Sequence, residues 1–240
     1  MKDKREKSIN YILVFVIIFF FVAIIGYIIR FFCKKENDDS SRKNKIEDYG
    51  MNSNKMLKNV MLGKEQFYYC TSNGSDALYV SDVTKLFDQE DTYMKIWEVT
   101  VTDLDDDGID EAIIFVTGPA GDIGGKFIFH QIDDSIYGYK TNYRTLLDLK
   151  KDGTYSFSDP TGLREAGIAR ITCFTKSEYV EEKIAYEIGT YKGWERFWIN
   201  QKNVSEEEYN ELEKMQQKKE NVIWYNFTRE NLITLLDYPE

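Results

Sequence analysis

The sequence predicts an α+β fold: a β-rich, mainly antiparallel extracytoplasmic domain with C-terminal helices, preceded by one transmembrane helix. Three observations carry this expectation. Tyr11 to Ile29 is an unbroken apolar run. Between residues 66 and 191, short segments rich in aromatic and β-branched residues recur between turn residues. Two helical patterns with N-terminal caps close the chain.

The apolar run, YILVFVIIFFFVAIIGYII, is 19 residues without a charge. At helical rise it reaches about 28 Å, against about 30 Å for a bilayer core. It has no polar face, as a buried soluble helix would keep. The residues after it, Arg30-Phe31-Phe32-Cys33, offer neither a small-residue cleavage site nor the small residues that precede a lipidated cysteine. The expectation is an uncleaved signal anchor over 9–33, touching the lipid bilayer and following a cytoplasmic stub at 1–8. Lys2, Lys4, Arg5 and Lys7 lie before the run, and Arg30, Lys34 and Lys35 after it. With so short an N-terminal tail, that bias sets the N-terminus inside and the main domain outside a cell membrane.

Residues 34–54 are polar and without apolar periodicity, so they predict a linker, and 55–240 the folded domain. The charge divides along the same line. The first 45 residues carry ten Lys/Arg and five Asp/Glu. Residues 46–240 then hold 21 basic and 36 acidic side chains, a net of −15. A domain this acidic is unsuited to nucleic acid or to an anionic membrane surface. His130 is the sole histidine and no CxxC occurs, which argues against a zinc site and against Ser-His-Asp catalysis. Cys70 and Cys173 both fall in the outer domain; spacing leaves open whether they pair or sit as separate buried thiols.

Within the domain, strands are expected at 66–70, 94–101, 111–116, 126–132, 137–143, 154–157, 169–174 and 184–191. Turns such as Asp152-Gly153 and Asp159-Pro160-Thr161-Gly162 join them. Ser205-Glu206-Glu207-Glu208 is a capping box, and its acidic first turn suits the helix dipole. Tyr209, Leu212, Met215 and Gln216 should share one face of that helix. Thr228 caps a second, over Arg229–Leu236.

The segment of sharpest chemistry is Asp103-Leu104-Asp105-Asp106-Asp107-Gly108-Ile109-Asp110-Glu111, set between two expected strands. Calcium takes six to eight oxygens, and a loop whose alternate side chains turn inward can supply them. Asp103, Asp105 and Asp107 are in phase, Gly108 permits the sharp turn, and the Ile109 carbonyl and Glu111 complete a ligand set. Asp106 and Asp110 fall out of phase. Ile114 stands where an EF-hand needs its bidentate Glu, and the flanks are strands, which excludes an EF-hand.

The loop resembles the shorter calcium loop, D-x-D-x-D-G-x-x-D, of FG-GAP and VCBS-type repeats, found in integrin α chains and many bacterial surface proteins. Asp103, Asp105, Asp107, Ile109 and Glu111 match it, with Glu in place of the final Asp and Ala112-Ile113-Ile114-Phe115-Val116 as the following strand. The resemblance covers about 16 residues and occurs once, so it implies Ca2+ as a cofactor but does not carry a propeller fold.

Other clusters have plainer explanations. Gly118 to Gly125 lacks the Lys-Ser/Thr pair of a phosphate loop and reads as a hairpin connection. The aromatics at Tyr191–Trp198 and Trp224–Phe227 suit core more than a binding platform. Glu181-Glu182 and Glu206–Glu208 suit solvated faces, so no catalytic or organic-cofactor residue is assigned. The expected role is noncatalytic: envelope association, or binding of a cell-surface glycan, peptide or protein. Alternatives are a surface hydrolase acting on glycans or peptides, and an accessory or sensor subunit of a membrane complex.

Overall fold

The computed structural model describes residues 55–71, 74–87, 93–118, 124–159, 165–189 and 195–237. The predicted stub, anchor and linker lie outside the described residues. Among those described, no helix is long and apolar enough to cross a membrane.

In chain order the elements begin with α1 (55–61), β1 (Phe67–Thr71), β2 (Gly74–Leu78) and a 3-10 turn (Val80–Asp82) leading into α2 (Val83–Phe87). Then come β3 (Lys95–Thr102), β4 (Glu111–Thr117), β5 (Gly124–Ile132) and β6 (Ser135–Lys140). A second run follows: β7 (Thr154–Ser158), β8 (Glu165–Phe174), β9 (Tyr179–Gly189), β10 (Glu195–Ile199) and β11 (Lys202–Val204). The chain closes with α3 (Glu206–Lys218), β12 (Tyr225–Asn226) and α4 (Arg229–Leu236).

These form two sheets. The first has seven strands in the order β12-β3-β4-β5-β6-β1-β2, and the second five in the order β11-β10-β9-β8-β7. Among the described residues every strand pairing is antiparallel except β1 with β6, joined at Tyr68↔Tyr137 and Tyr69↔Gly138. The α+β, β-rich and mainly antiparallel expectation therefore holds for the described residues.

Strand alternation decides which side chains reach which layer. On β4 and β5, Ile114, Val116, Phe127 and Phe129 face one way, joining Leu57, Met61, Val83 and Leu232 from the helices. Ile113 and Ile128 face the other way, packing with Tyr155, Ala169, Ile171 and Phe174 of the second sheet. Ile168, Ala185 and Phe197 then meet Tyr209 of α3 on the far side. The layers are helices, sheet, sheet, helix.

The face of the first sheet that looks at the second carries three cross-strand rows. Ile113 pairs with Thr100 and Ile128 in the middle row, and Phe115 pairs with Glu98 and Lys126 in the next. Thr102 pairs with Glu111 in the remaining row, and the same register continued brings His130 alongside Glu111. Polar groups thus occupy both ends of an apolar strip.

The capping box of α3 is formed as expected. Ser205 Oγ accepts from Glu208 N at 3.2 Å, and Glu208 Oε2 accepts from Ser205 N at 2.9 Å. Tyr209 and Gln216 are buried, but Met215 is 62% exposed, so the apolar face is narrower than the spacing suggested. Gln216 turns inward because its amide pairs with Thr154 of β7. Ser205→Ala should cost about 1 kcal/mol, lowering Tm by about 2–4 °C in a thermal melt.

Candidate metal centre

The loop 103–110 joins β3 to β4, the context expected for it. Its course is written by Asp103, whose carboxylate gathers three backbone amides. Oδ1 accepts from Asp106 N at 2.8 Å and Asp107 N at 3.3 Å, and Oδ2 from Gly108 N at 2.9 Å. This wraps the chain around one side chain and needs left-handed backbone at Asp106 (φ 61) and Gly108 (φ 86). Asp tolerates that region better than most residues and Gly adopts it freely. Asp106 is exposed, as its phase implied.

Glu111 opens β4 and is fully buried. Its Oε2 accepts from Leu104 N at 2.7 Å, closing the loop, and its Oε1 lies 2.6 Å from His130 Nδ1 on β5. The imidazole stacks on Phe174 of the second sheet, with ring centroids 4.3 Å apart. From the other side, Gly153 of the turn before β7 sits so close to the Leu104 carbonyl that a Cβ there would come within 2.7 Å of the oxygen. Both sheets hold the loop.

Within this frame, ligand oxygens of Asp103, Asp105 and Glu111 lie within 4.8 Å of one another. Asp107 is outside that cluster; its Oδ1 accepts the Ile109 amide at 2.8 Å. Ile109 is half-buried beside it. Three buried side-chain atoms of the described residues have no hydrogen-bond partner, and Asp105 Oδ1 is the one carboxylate oxygen among them.

The electrostatics follow from burial without a counter-charge. Burial raises the Asp105 carboxyl to about 8, and the nearby Glu111 and Asp107 charges add to it. Asp107 is raised for the same first reason. Burial also pushes Glu111 well up and His130 down, although the surrounding aspartates pull the imidazole the other way. Desolvation wins at both partners, so the pair favours a neutral carboxyl and a neutral imidazole.

A cation would answer each of these features at once. It would supply the charge that the carboxylates lack and the partner that Asp105 Oδ1 lacks. The clustered ligands are all carboxylate oxygens, which suit a hard ion such as calcium over a softer metal that prefers sulfur or nitrogen. As the lone histidine, His130 counted in the sequence only against zinc and Ser-His-Asp chemistry, not as a neighbour of the loop. Alternation in Lys126-Phe127-Ile128-Phe129-His130 does place Lys126, Ile128 and His130 on one face, but only the β4–β5 register sets His130 against Glu111.

The remaining candidates fall elsewhere. Glu181 accepts from Tyr155 Oη at 2.6 Å, and Arg170 holds Glu182 at 2.8 Å. Cys70 is a free thiol on β1, so it forms no bridge with Cys173 of β8. Of the second aromatic cluster, Tyr225 lies on edge strand β12 and is partly exposed, while Phe227 packs on the helix-side core. Compared with protein families, curated proteins and solved structures, the chain shows no significant match to any of the three.

Proposed function

We propose that the chain is a membrane-anchored extracytoplasmic protein whose 103–111 loop holds a structural calcium ion. The observation that carries the calcium assignment is Asp105 Oδ1, buried and unpartnered within a cluster of three carboxylates. Asp103, Asp105 and Glu111 would hold the ion, with Asp107 and the Ile109 carbonyl completing the set that the FG-GAP-like spacing implies. The ion supplies positive charge and ties the ends of β3 and β4 together. The uncharged run from Tyr11 to Ile29 supports the anchor. Calcium outside cells is on the order of millimolar, enough to fill even a weak extracellular-type site. The role we assign is noncatalytic binding at the cell surface, to a glycan, peptide or protein and not to nucleic acid.

The test is a thermal melt of the full-length chain in detergent micelles, with chelator and with excess calcium. At a hundred times Kd the stabilisation is about 2.7 kcal/mol, or about 5–10 °C in Tm for a domain of this size. Asp105→Asn should abolish that rise without lowering the Tm measured in chelator. A wild-type Tm indifferent to calcium would refute the assignment.

A further inference from the structure

The opposite end of the inter-sheet face holds a buried cation that the metal centre does not use. Lys126, on β5, is 9% exposed. Its ammonium donates to the Thr145 carbonyl at 3.2 Å and lies 5.6 Å from the centroid of the Phe115 ring. An ammonium has three donors, and no carboxylate among the described residues pairs with this one. Asp148, the nearest acidic neighbour along the adjoining loop, is bound by Lys150 at 2.9 Å. Glu98 is two strands away, with Phe115 between them in the same row. Burial alone brings the amine down to about 8.

Lys126 lines a cavity of about 340 Å³ whose apolar wall includes Phe115, Leu149, Val222 and Trp224. That volume is at the small end of the range of ligand sites. The loop segment closing it, 146–149, holds two non-glycine residues in left-handed backbone, Leu146 (φ 54) and Asp148 (φ 47). Such conformations are disfavoured for residues with a Cβ and persist only where the surroundings enforce them. Two bridges do so: Leu147 pairs with Ser156, and Lys150 with Asn221. The cavity is thus built by strained, well-anchored chain around one unpaired positive charge.

We propose that this cavity binds a small organic carboxylate with an apolar body, its carboxylate pairing with the Lys126 ammonium and its body lying against Phe115, Leu149, Val222 and Trp224. A single ammonium matches a single negative charge. Glu98 and Asp148 at the same cavity oppose a multiply charged anion such as phosphate, and the apolar wall favours an aromatic or aliphatic body over a bare ion.

The experiment is calorimetric titration of the full-length chain with phenylacetate and with its neutral isostere, phenylacetamide. At neutral pH the acid should bind about ten- to a hundredfold tighter than the amide, the range expected for a charged hydrogen-bonded pair. Lys126→Met should abolish the difference. Because the ammonium is lost as pH rises through about 8, acid binding by the wild type should weaken by roughly tenfold between pH 7 and pH 9.5. Glu98 and Asp148 also line the cavity, with Lys150 paired to Asp148. The amide controls for changes in the shape of the pocket, and acid binding by Lys126→Met controls for the charge of these neighbours. No binding of the acid, equal binding of acid and amide, or acid binding that Lys126→Met leaves intact would each overturn the proposal. If the variant does not fold, the acid-to-amide ratio and its pH dependence in the wild type decide the matter alone.

Discussion

Glu111→Ala is expected to destabilise the domain by about 3–5 kcal/mol, even with all metal chelated. The side chain is fully buried and holds two partners, Leu104 N at 2.7 Å and His130 Nδ1 at 2.6 Å. Truncation leaves a buried amide and a buried imidazole unpaired, at about 1–3 kcal/mol each, and opens a void between the sheets that adds to the loss. Glu111→Gln keeps an acceptor for at least one of the two, and should cost about 1–2 kcal/mol. Urea unfolding in chelator compares them. Equal, small losses for both variants would mean that Glu111 matters only when an ion is bound.

Metal-free protein should become less stable as pH rises from about 4 to about 8. The Asp105 carboxyl titrates near 8 in the fold, against about 3.9 in the unfolded chain. Below the unfolded value both states carry the proton and nothing is lost. Between the two values the unfolded chain has released it and the fold has not, so each unit of pH removes about 1.4 kcal/mol. The total is on the order of 5 kcal/mol, an upper figure because the carboxylate is not wholly screened from water. Glu111, also raised, acts in the same direction. His130, lowered by burial, acts oppositely within the window, costing stability as pH falls through the ordinary histidine range, but it is one group against two raised carboxyls. Asp82 and Asp152, also lowered, act oppositely only as pH falls through the ordinary carboxylate range. Melting temperature in chelator should therefore fall between pH 5 and pH 8, and excess calcium or Asp105→Asn should flatten the slope. A rising Tm over that interval would contradict the account of the loop.

Much of the secondary structure was legible because it is written locally. The strands flanking the acidic loop follow from alternation, and α3 and α4 from Ser205 and Thr228, whose hydroxyls accept the amides of Glu208 and Asn231. The short elements were not. In β2, Gly74-Ser75-Asp76-Ala77-Leu78 is exposed almost throughout and has no apolar alternation; it is a strand only because β1 offers it an edge. β12, two residues long, is held by Val99 and Glu98 in the same manner. The helix at 55–61 was missed because it is only seven residues long and stands against a core completed by strands and helices from the whole length of the domain, from Phe67 to Leu236. For the site, spacing named Asp103, Asp105 and Glu111. His130 and Lys126 required the register between β4 and β5, which is a fact about two segments and not one.

The order of strands in the first sheet also constrains how the protein is made. β12 comes from residues 225–226 yet borders β3, and β1, near the start of the described domain, borders β6 in parallel. A growing chain that has emerged only as far as residue 200 presents the outer edge of β3 uncovered, and Leu232 and Leu236 are absent from the helix-side core they later join. Non-local closure of this sort slows folding and leaves an open edge available to other chains meanwhile. Residues 225–236 act as the latch of the sheet, and the domain cannot close until they have emerged.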